Sequence, residues 1–250
     1  MKVRLDQLLV ERQLAVSREK AQAIIIAGDV LVNEQKIQKP GIQVDAGCVI
    51  RLLGKQCPYV SRGGLKLAGV IDFFGVNSRN LQCLDVGAST GGFTDCLLQK
   101  GAKQVIALDV GHDQLDWKIR SDERVIVIEK CNFRYVTLAE LRTLSGLSEL
   151  NLQLAVVDVS FISLEKIFPP LYDVLSPGAK ILALVKPQFE AKREEVGKGG
   201  IIKDPEVHSR VQIAVQNYAL TAGFKVLGET VSPITGTDGN KEFFIYLEKQ

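Results

Sequence analysis

The stretch DVGASTGGF, residues 85–93, decides the fold of this 250-residue chain. It begins at the end of an apolar run, 81–86, that is typical of a β-strand, and it leads directly into a stretch with helical spacing. Glycines in such a turn let the backbone approach a ligand closely, and open parallel sheets bind ligands at the carboxyl ends of their strands. The stretch therefore predicts a ligand-binding loop at the edge of a parallel sheet.

From residue 61 onward, apolar runs alternate with helical stretches, the first of which is a helix predicted to be capped by Ser61 and to end at Phe74. The apolar runs are 81–86, 104–110, 125–128, 152–159, 179–185 and 225–231. Such alternation predicts an α/β fold in which helices cover both faces of a parallel sheet. The last run, 242–247, follows its predecessor too closely for a crossover helix, so we expect it to pair antiparallel.

The first 53 residues are organised differently. Apolar residues at helical spacing predict a helix over 4–13, and Ser17 can cap a second helix that ends at Ala27. Two short strands follow, at 30–32 and 49–53. We therefore predict three segments: a small α+β domain at 1–53, a linker at 54–60 and the α/β domain at 61–250.

Composition excludes several classes of protein. The chain is 46% hydrophobic and 24% charged, which is typical of a folded globular protein. Its five scattered cysteines predict neither a disulfide framework nor a metal site. A charged N-terminus and the lack of an apolar run of about 18 residues predict no signal peptide and no membrane association, hence a cytoplasmic protein.

Positive charge is concentrated at the N-terminus, where residues 1–60 hold nine Lys or Arg and six Asp or Glu. This excess indicates either a polyanion partner such as RNA or only a solvated charged surface. Residues 1–58 contain no aromatic side chain, so RNA would be recognised through phosphates and shape. The candidate RNA-binding residues are Arg4, Arg12, Arg18, Lys20, Lys36 and Lys39.

The spacing of the glycine-rich loop differs from the Gly-x-Gly-x-x-Gly pattern that binds dinucleotides. A carboxylate precedes the glycines, where an amine-bearing ligand would lie, and Asp109 ends the next strand, where it could bind a ribose. This combination favours S-adenosylmethionine over NAD, the alternative being a tight turn without a ligand. The candidate cofactor-binding residues are Asp85, Gly87, Ser89, Thr90, Gly91, Gly92, Phe93 and Asp109.

Charged residues also stand where other strands of the predicted sheet begin or end. Asp158 and Lys186 follow parallel strands and Glu242 begins the antiparallel one, so all three should converge on one rim, although strand-end charges often only meet solvent. A ribose hydroxyl is a weak acid, and a lysine can take its proton only where burial or a nearby cation favours the neutral amine. Lys186 is the predicted base, and Lys66 is the nearby cation.

Two kinds of base methylation fit less well. An exocyclic amino methyltransferase would have a Pro-Pro-aromatic segment after Asp158, and this chain has Val-Ser-Phe instead. No cysteine lies at the corresponding strand ends to attack a pyrimidine ring. The residues therefore favour methylation of the sugar.

These residues resemble a known family. Lys66, Asp158, Lys186 and Glu242 resemble the Lys-Asp-Lys-Glu catalytic tetrad of the FtsJ-like ribose 2'-O-methyltransferases, and residues 4–53 resemble the alpha-L RNA-binding motif. The phrases VSRGGLKL, residues 60–67, and VKPQFE, residues 185–190, are similar to the TlyA family specifically.

The resemblance implies a Rossmann-like class I methyltransferase domain that methylates the ribose of cytidines in ribosomal RNA with S-adenosylmethionine. Its partner would be ribosomal RNA or ribosomal subunits, and no protein partner is implied. Because some members of the family carry a hemolysin label, a hemolysin-type protein is one alternative. A non-catalytic RNA-binding protein is the other.

Overall fold

The computed structural model describes residues 2–53, 57–236 and 239–250, which divide into two compact units, Met1–Gln56 and Cys57–Gln250. The first unit contains two short helices and five short strands. They are β1 Lys2–Arg4, α1 Leu5–Glu11, α2 Arg18–Ile26, β2 Val30–Val32, β3 Gln35–Ile37, β4 Gln43–Asp45 and β5 Ile50–Leu52. β2 lies between β3 and β5, and β1 pairs with β4. The predicted α+β character of this unit is confirmed.

The N-terminal helices differ in how well the sequence predicted them. Ser17 caps α2 as expected, because its hydroxyl accepts from the backbone N–H of Lys20. The prediction of a helix over 4–13 was wrong at both ends, since α1 runs only from Leu5 to Glu11. Arg4 is extended and pairs with Gln43, so its backbone belongs to a strand that helical periodicity could not reveal.

The second unit alternates strands and helices along the chain. Its strands are β6 Gln82–Val86, β7 Gln104–Leu108, β8 Val125–Ile128, β9 Leu152–Val157, β10 Lys180–Val185, β11 Phe224–Val231 and β12 Phe243–Lys249. Its helices are α3 Gly63–Phe74, α4 Gly92–Gln99, α5 Trp117–Arg120, α6 Leu138–Ser145, α7 Phe168–Val174, α8 Pro187–Glu190 and α9 Pro205–Thr221. Short 3₁₀ turns complete the connections.

These strands form one sheet in the order β11-β12-β10-β9-β6-β7-β8. The pairs from β10 to β8 are parallel, whereas β12 pairs antiparallel with both β10 and β11. The predicted α/β sheet with an antiparallel last strand is therefore confirmed. Because β12 runs antiparallel to β10, its first residue, Phe243, lies opposite Val185 at the edge where the parallel strands end.

Both faces of the sheet are buried, as the continuous apolar strands predict. One face packs around Leu84, Ile106 and Phe168, and the other packs around Val105, Val156 and Phe244. Two strands end earlier than their apolar runs, β7 at Leu108 and β9 at Val157. The residues that follow these strands, such as Asp109 and Asp158, therefore belong to the loops at the carboxyl edge of the sheet.

The structure describes only part of the predicted linker, residues 54–60. Residues 54–56 lie outside the described residues, whereas residues 57–60 belong to the second unit, where the Val60 N–H donates to Asp95 over 2.8 Å. The limits of the two domains stay a prediction. In the ranges that the structure describes, no helix is long and apolar enough to cross a membrane.

Candidate active site

A cavity of about 520 Å³ opens at the carboxyl edge of the parallel strands in the second unit. Every strand or helix around it contributes through its end or the loop beyond it, which is where open α/β sheets bind ligands. The lining residues are Ser61, Arg62, Gly63, Lys66, Gly87, Ala88, Ser89, Thr90, Gly92, Phe93, Asp158, Ser160, Phe161, Lys186, Gln188, Phe189, Thr235 and Glu242. The four predicted catalytic residues are all among them.

The glycine-rich loop forms one wall of this cavity. Gly87 has φ +86°, and a Cβ atom there would lie 2.5 Å from the carbonyl oxygen of Asp158, so only glycine fits. Gly92 packs against Ser61, whose hydroxyl lies 2.2 Å from the place of a Cβ. Ser61 lines the cavity. The prediction that it caps α3 was wrong, because the N-cap residue is Arg62, whose side chain forms no capping hydrogen bond.

Three residues of the predicted cofactor set are not among those lining this cavity: Asp109 lines a smaller one, and Gly91 and Asp85 lie behind the loop. Gly91, with φ +89°, packs against Leu115 and Ile119 and occupies the N-cap position of α4. Asp85 is fully buried, and burial raises the pKa of its carboxyl to about 7. Its Oδ2 accepts from the Thr94 hydroxyl over 2.6 Å, while Oδ1 has no hydrogen-bond partner among the described residues.

Asp109 lies in a smaller cavity that adjoins the loop at Ala88 and Ser89. Its two carboxylate oxygens accept from the backbone N–H groups of Ser89 and Gly111, each over 2.7 Å. Gln114 and Glu129 also line this cavity. The acid predicted at the end of the second strand is thus joined directly to the glycine-rich loop, since it holds Ser89 in place.

Glu129 also belongs to a surface cluster with His112 and Asp113, whose ligand atoms lie within 4.8 Å of one another. Arg120 contacts both carboxylates of this cluster. The guanidinium therefore already supplies the positive charge that a metal ion would bring.

The four predicted catalytic residues form two ion pairs. Nζ of Lys186 lies 2.6 Å from Oδ1 of Asp158, and Nζ of Lys66 lies 2.5 Å from Oε2 of Glu242. The side chains of the lysines are only 12% and 11% exposed. Each lysine thus has its own carboxylate, an assignment of partners that strand ends alone could not predict.

Sequence reasoning missed several residues that line the cavity beside Lys186. The Ser160 hydroxyl accepts from Nζ of Lys186 over 2.9 Å, so this lysine is held from two sides. Phe161 is 91% exposed and its ring centroid lies 5.0 Å from that of Phe189. Oε1 of Gln188 is buried without a hydrogen-bond partner among the described residues. The sequence Val-Ser-Phe after Asp158 was interpreted only as evidence against a base methyltransferase. Its Ser160 and Phe161 were the available signal that this segment also lines the cavity.

The long polar connection between α8 and α9 is fastened to the rest of the unit. Its Gly200 carbonyl accepts from the side-chain amide of Asn240 over 2.9 Å, and the Ile202 N–H donates to the same amide over 3.0 Å. Glu195 pairs with Arg210 over 2.5 Å. Asn240 thereby connects this segment to the turn before Glu242.

In the N-terminal unit, the structure separates the predicted RNA-binding residues by how their side chains are held. Arg4 and Arg18 both donate to the fully buried carboxylate of Asp6, at 2.9 Å to Oδ2. These bonds hold the pKa of Asp6 far below its ordinary range. Each guanidinium keeps N–H groups that these bonds do not use.

Arg12 is held differently, because its guanidinium donates to the carbonyl oxygens of Ala46 and Cys48. Its side chain therefore closes the loop before β5. Lys36 and Lys39 are exposed, and Lys20 is half-buried in the first turn of α2. Of the six candidates, the pair Arg4 and Arg18 is the one that the structure brings together.

Comparison with protein families finds two matches along the chain. The model of the FtsJ-like methyltransferases matches residues 59–249, and the model of the S4 domain matches residues 3–50. The first match includes all the cavity residues described above.

Individual proteins match over almost the whole chain. YqxC of Bacillus subtilis, which is named as an rRNA methyltransferase, is 50% identical over 98% of this chain and 85% of its own length. The 16S/23S rRNA (cytidine-2'-O)-methyltransferase TlyA of Mycobacterium tuberculosis is 40% identical over 100% of this chain and 91% of its own. A solved structure from Streptococcus thermophilus that carries a hemolysin name has a TM-score of 0.78 and 43% identity, covering 100% of this chain and 89% of that one.

Proposed function

Because the chain belongs to the FtsJ-like methyltransferase family, we propose that it methylates the 2'-oxygen of cytidine riboses in ribosomal RNA. The family and the relatives make it an S-adenosylmethionine-dependent methyltransferase. The observation that carries the proposed reaction is the pair of lysines, each with its own carboxylate, in one cavity beside the glycine-rich loop.

The residues around the two cavities fit S-adenosylmethionine. Gly87 in the larger cavity lets the backbone approach a ligand closely, and Asp109 in the smaller one offers carboxylate oxygens to ribose hydroxyls. Asp85 lies behind the loop, where its Oδ1 has no hydrogen-bond partner among the described residues. When bound there, the cofactor supplies an electrophilic methyl group on a positively charged sulfonium. The predicted cofactor residues stay a proposal for this chain, with Gly91 acting through packing.

We assign the proton transfer to Lys186. The 2'-hydroxyl must lose its proton as its oxygen takes the methyl group, and Lys186 accepts that proton after releasing its own proton to solvent. Asp158 and Ser160 hold Nζ of Lys186 in place, and Asp158 is the carboxylate that balances its charge once it is protonated. Lys66, fixed by Glu242, supplies the second positive charge in the cavity.

The S4 domain gives the chain its RNA-binding unit. We propose ribosomal RNA within ribosomal subunits as the substrate and the cytoplasm, where ribosomes are, as the compartment. The names of two relatives support this substrate, since both are rRNA methyltransferases by name. Nothing in the site favours a lytic function over methyl transfer.

The proposed function is tested by incubating the purified protein with S-adenosylmethionine and ribosomal subunits from cells that lack it. We expect one methyl group per modified nucleotide, placed on the ribose, which makes the adjacent phosphodiester resistant to alkali. Mass mapping of the RNA locates it. A methyl group on a base, or no methyl transfer to any ribosomal RNA, would contradict the proposal; the latter would favour a non-catalytic RNA-binding protein.

The cofactor site makes its own prediction. Asp109→Ala should weaken S-adenosylmethionine binding at least about tenfold, because it removes both the ribose contact and the hydrogen bonds that hold Ser89 and Gly111. Calorimetry measures this in the presence and absence of RNA. Asp113→Ala, in the nearby surface cluster, is the matched control, and equal affinities for the two variants would remove Asp109 from the site.

For the N-terminal unit, we predict that substitution of Arg18 affects RNA binding, whereas substitution of Arg12 affects stability. Arg18→Gln should weaken RNA binding and reduce the slope of log affinity against log salt by about one, because one phosphate contact is lost. Arg12→Gln should keep that slope and lower the melting temperature, because Ala46 and Cys48 lose their donor. Filter binding over a salt series and thermal unfolding measure both variants. A salt slope that falls for Arg12→Gln and stays unchanged for Arg18→Gln would show that Arg12 contacts RNA and Arg18 does not.

A further inference from the structure

Beyond the tetrad, the structure contains a link between the two segments that carry Asp158 and Lys186. The parallel pairing of β9 with β10 ends at Val157 and Ala183. Past that point no sheet ladder joins the two segments in the part of the chain that the structure describes, yet the ion pair between Asp158 and Lys186 requires them to stay close. The Asp158 N–H still donates to the Val86 carbonyl, and Lys186 follows Val185, which pairs with Phe243. Side chains join the two segments directly to each other.

Three sets of side-chain contacts do so. The first is Lys186 with Asp158 and Ser160, and the second is the aromatic pair of Phe161 and Phe189. The third is Glu190, the last residue of α8. Its Oε2 accepts from the Ser163 hydroxyl over 2.6 Å, and its Oε1 accepts from the Leu164 N–H over 2.8 Å.

These contacts differ in whether they can persist through a reaction. Lys186 has to exchange a proton, so its bonds to Asp158 and Ser160 change. Phe161 is 91% exposed at the cavity and is open to an incoming substrate. Glu190 is half-buried, which raises the pKa of its carboxyl, and it is not among the residues that line the cavity. Only its bonds can remain unchanged while a nucleotide is bound and a proton is moved.

We propose that Glu190 is a positioning residue that fixes the loop after β9 to the segment after β10 and so keeps Asp158 and Lys186 in register during methyl transfer. The inference rests on the proposed function, because it assumes that Lys186 is the base. The two bonds do not require a charge: a glutamine can accept from Leu164 with its oxygen and donate to the Ser163 hydroxyl with its amide.

The experiment compares Glu190→Ala with Glu190→Gln. We expect Glu190→Ala to lower kcat about 10- to 100-fold at saturating RNA and cofactor, because a catalytic group displaced by about 1 Å loses rate on this scale. Its affinity for S-adenosylmethionine should change less than about twofold. Glu190→Gln should stay within about threefold of the wild-type kcat. Ser163→Ala should fall between the two, since it removes one of the two bonds to Glu190 together with the hydroxyl that accepts from the Glu165 N–H.

A matched control separates positioning from general stability. Glu229→Ala removes another half-buried glutamate with a raised pKa. Glu229 lies on the edge strand β11, outside the cavity, and accepts from the side-chain amide of Gln216 in α9. Hydrogen exchange at the Leu164 amide should rise in Glu190→Ala and not in Glu190→Gln or Glu229→Ala. If Glu190→Ala does not fold, Ser163→Ala and Glu190→Gln carry the test.

Two results would overturn the inference. The first is a kcat of Glu190→Ala that equals that of Glu229→Ala; if Glu190→Ala does not fold, Ser163→Ala takes its place in this comparison. The second is a Glu190→Gln variant that is as impaired as Glu190→Ala. Wild-type protein and Lys186→Ala are assayed alongside. Inactive wild-type protein would refute the proposed function, and an active Lys186→Ala would refute its base. Active wild-type together with fully active Glu190→Ala refutes only the positioning role.

Discussion

Lys186→Ala is expected to reduce methyl transfer at least about 100-fold and to bring it close to the detection limit, because a correctly placed base contributes about 100- to 10,000-fold in rate. Cofactor affinity should change little, since Lys186 acts on the substrate proton. Lys186→Arg should be almost as inactive. An arginine keeps the positive charge beside Asp158 but cannot lose its proton in a protein, so this variant separates a base from an electrostatic contact.

Single-turnover kinetics with S-adenosylmethionine and ribosomal RNA measure these rates. Lys180→Ala is the control, because Lys180 lies at the opposite end of the same strand and also forms an ion pair, with Glu248 at 2.7 Å. Its activity should match that of the wild type. Near-normal turnover of Lys186→Arg would show that the lysine supplies charge only, and the base would have to be sought among the other cavity residues.

The sequence predicted the sheet well because the signals for it are local. Where an apolar stretch stops at an acidic residue or a glycine, the sequence itself indicates the end of the strand. Parallel strands have their carboxyl ends at the same edge of the sheet. Asp158, Lys186 and Glu242 could therefore be expected near one another. Lys66, which lies on a helix, was expected beside them as the second cation of the resembled tetrad, and the structure brings all four into one cavity. The family and the kind of reaction followed from the same residues.

The remaining features depend on packing that no local pattern encodes. Whether Asp85 faces the cavity or the core depends on how α4 covers β6, and the structure buries it against Thr94. The division of the four charged residues into two pairs depends on where β12 enters the sheet. Arg4 and Arg12 both appear as basic residues of one helix in the sequence, yet one donates to Asp6 and the other to a loop.

The ion pair of Lys66 and Glu242 leads to the second large prediction. Glu242 is 3% exposed, and Lys66→Met would leave this carboxylate buried without its partner. Breaking a buried pair in this way costs about 3 to 5 kcal/mol, which lowers the melting temperature of a unit of this size by about 10 °C. Lys100→Met breaks the more exposed pair with Asp72 and should cost about 1 kcal/mol or less.

The double variant Lys66→Met with Glu242→Leu tests whether the ion pair is needed for methyl transfer or only for stability. Replacing both members of a buried ion pair by apolar residues of similar size is often neutral for stability, so we expect the melting temperature to return to near the wild-type value. Activity should not return, because the second positive charge of the cavity is gone. Thermal unfolding and methyl-transfer assays of the two single variants and the double variant form the cycle. A double variant that recovers both stability and turnover would show that Lys66 and Glu242 only support the fold, and the catalytic group would then reduce to Lys186, Asp158 and the residues that hold them.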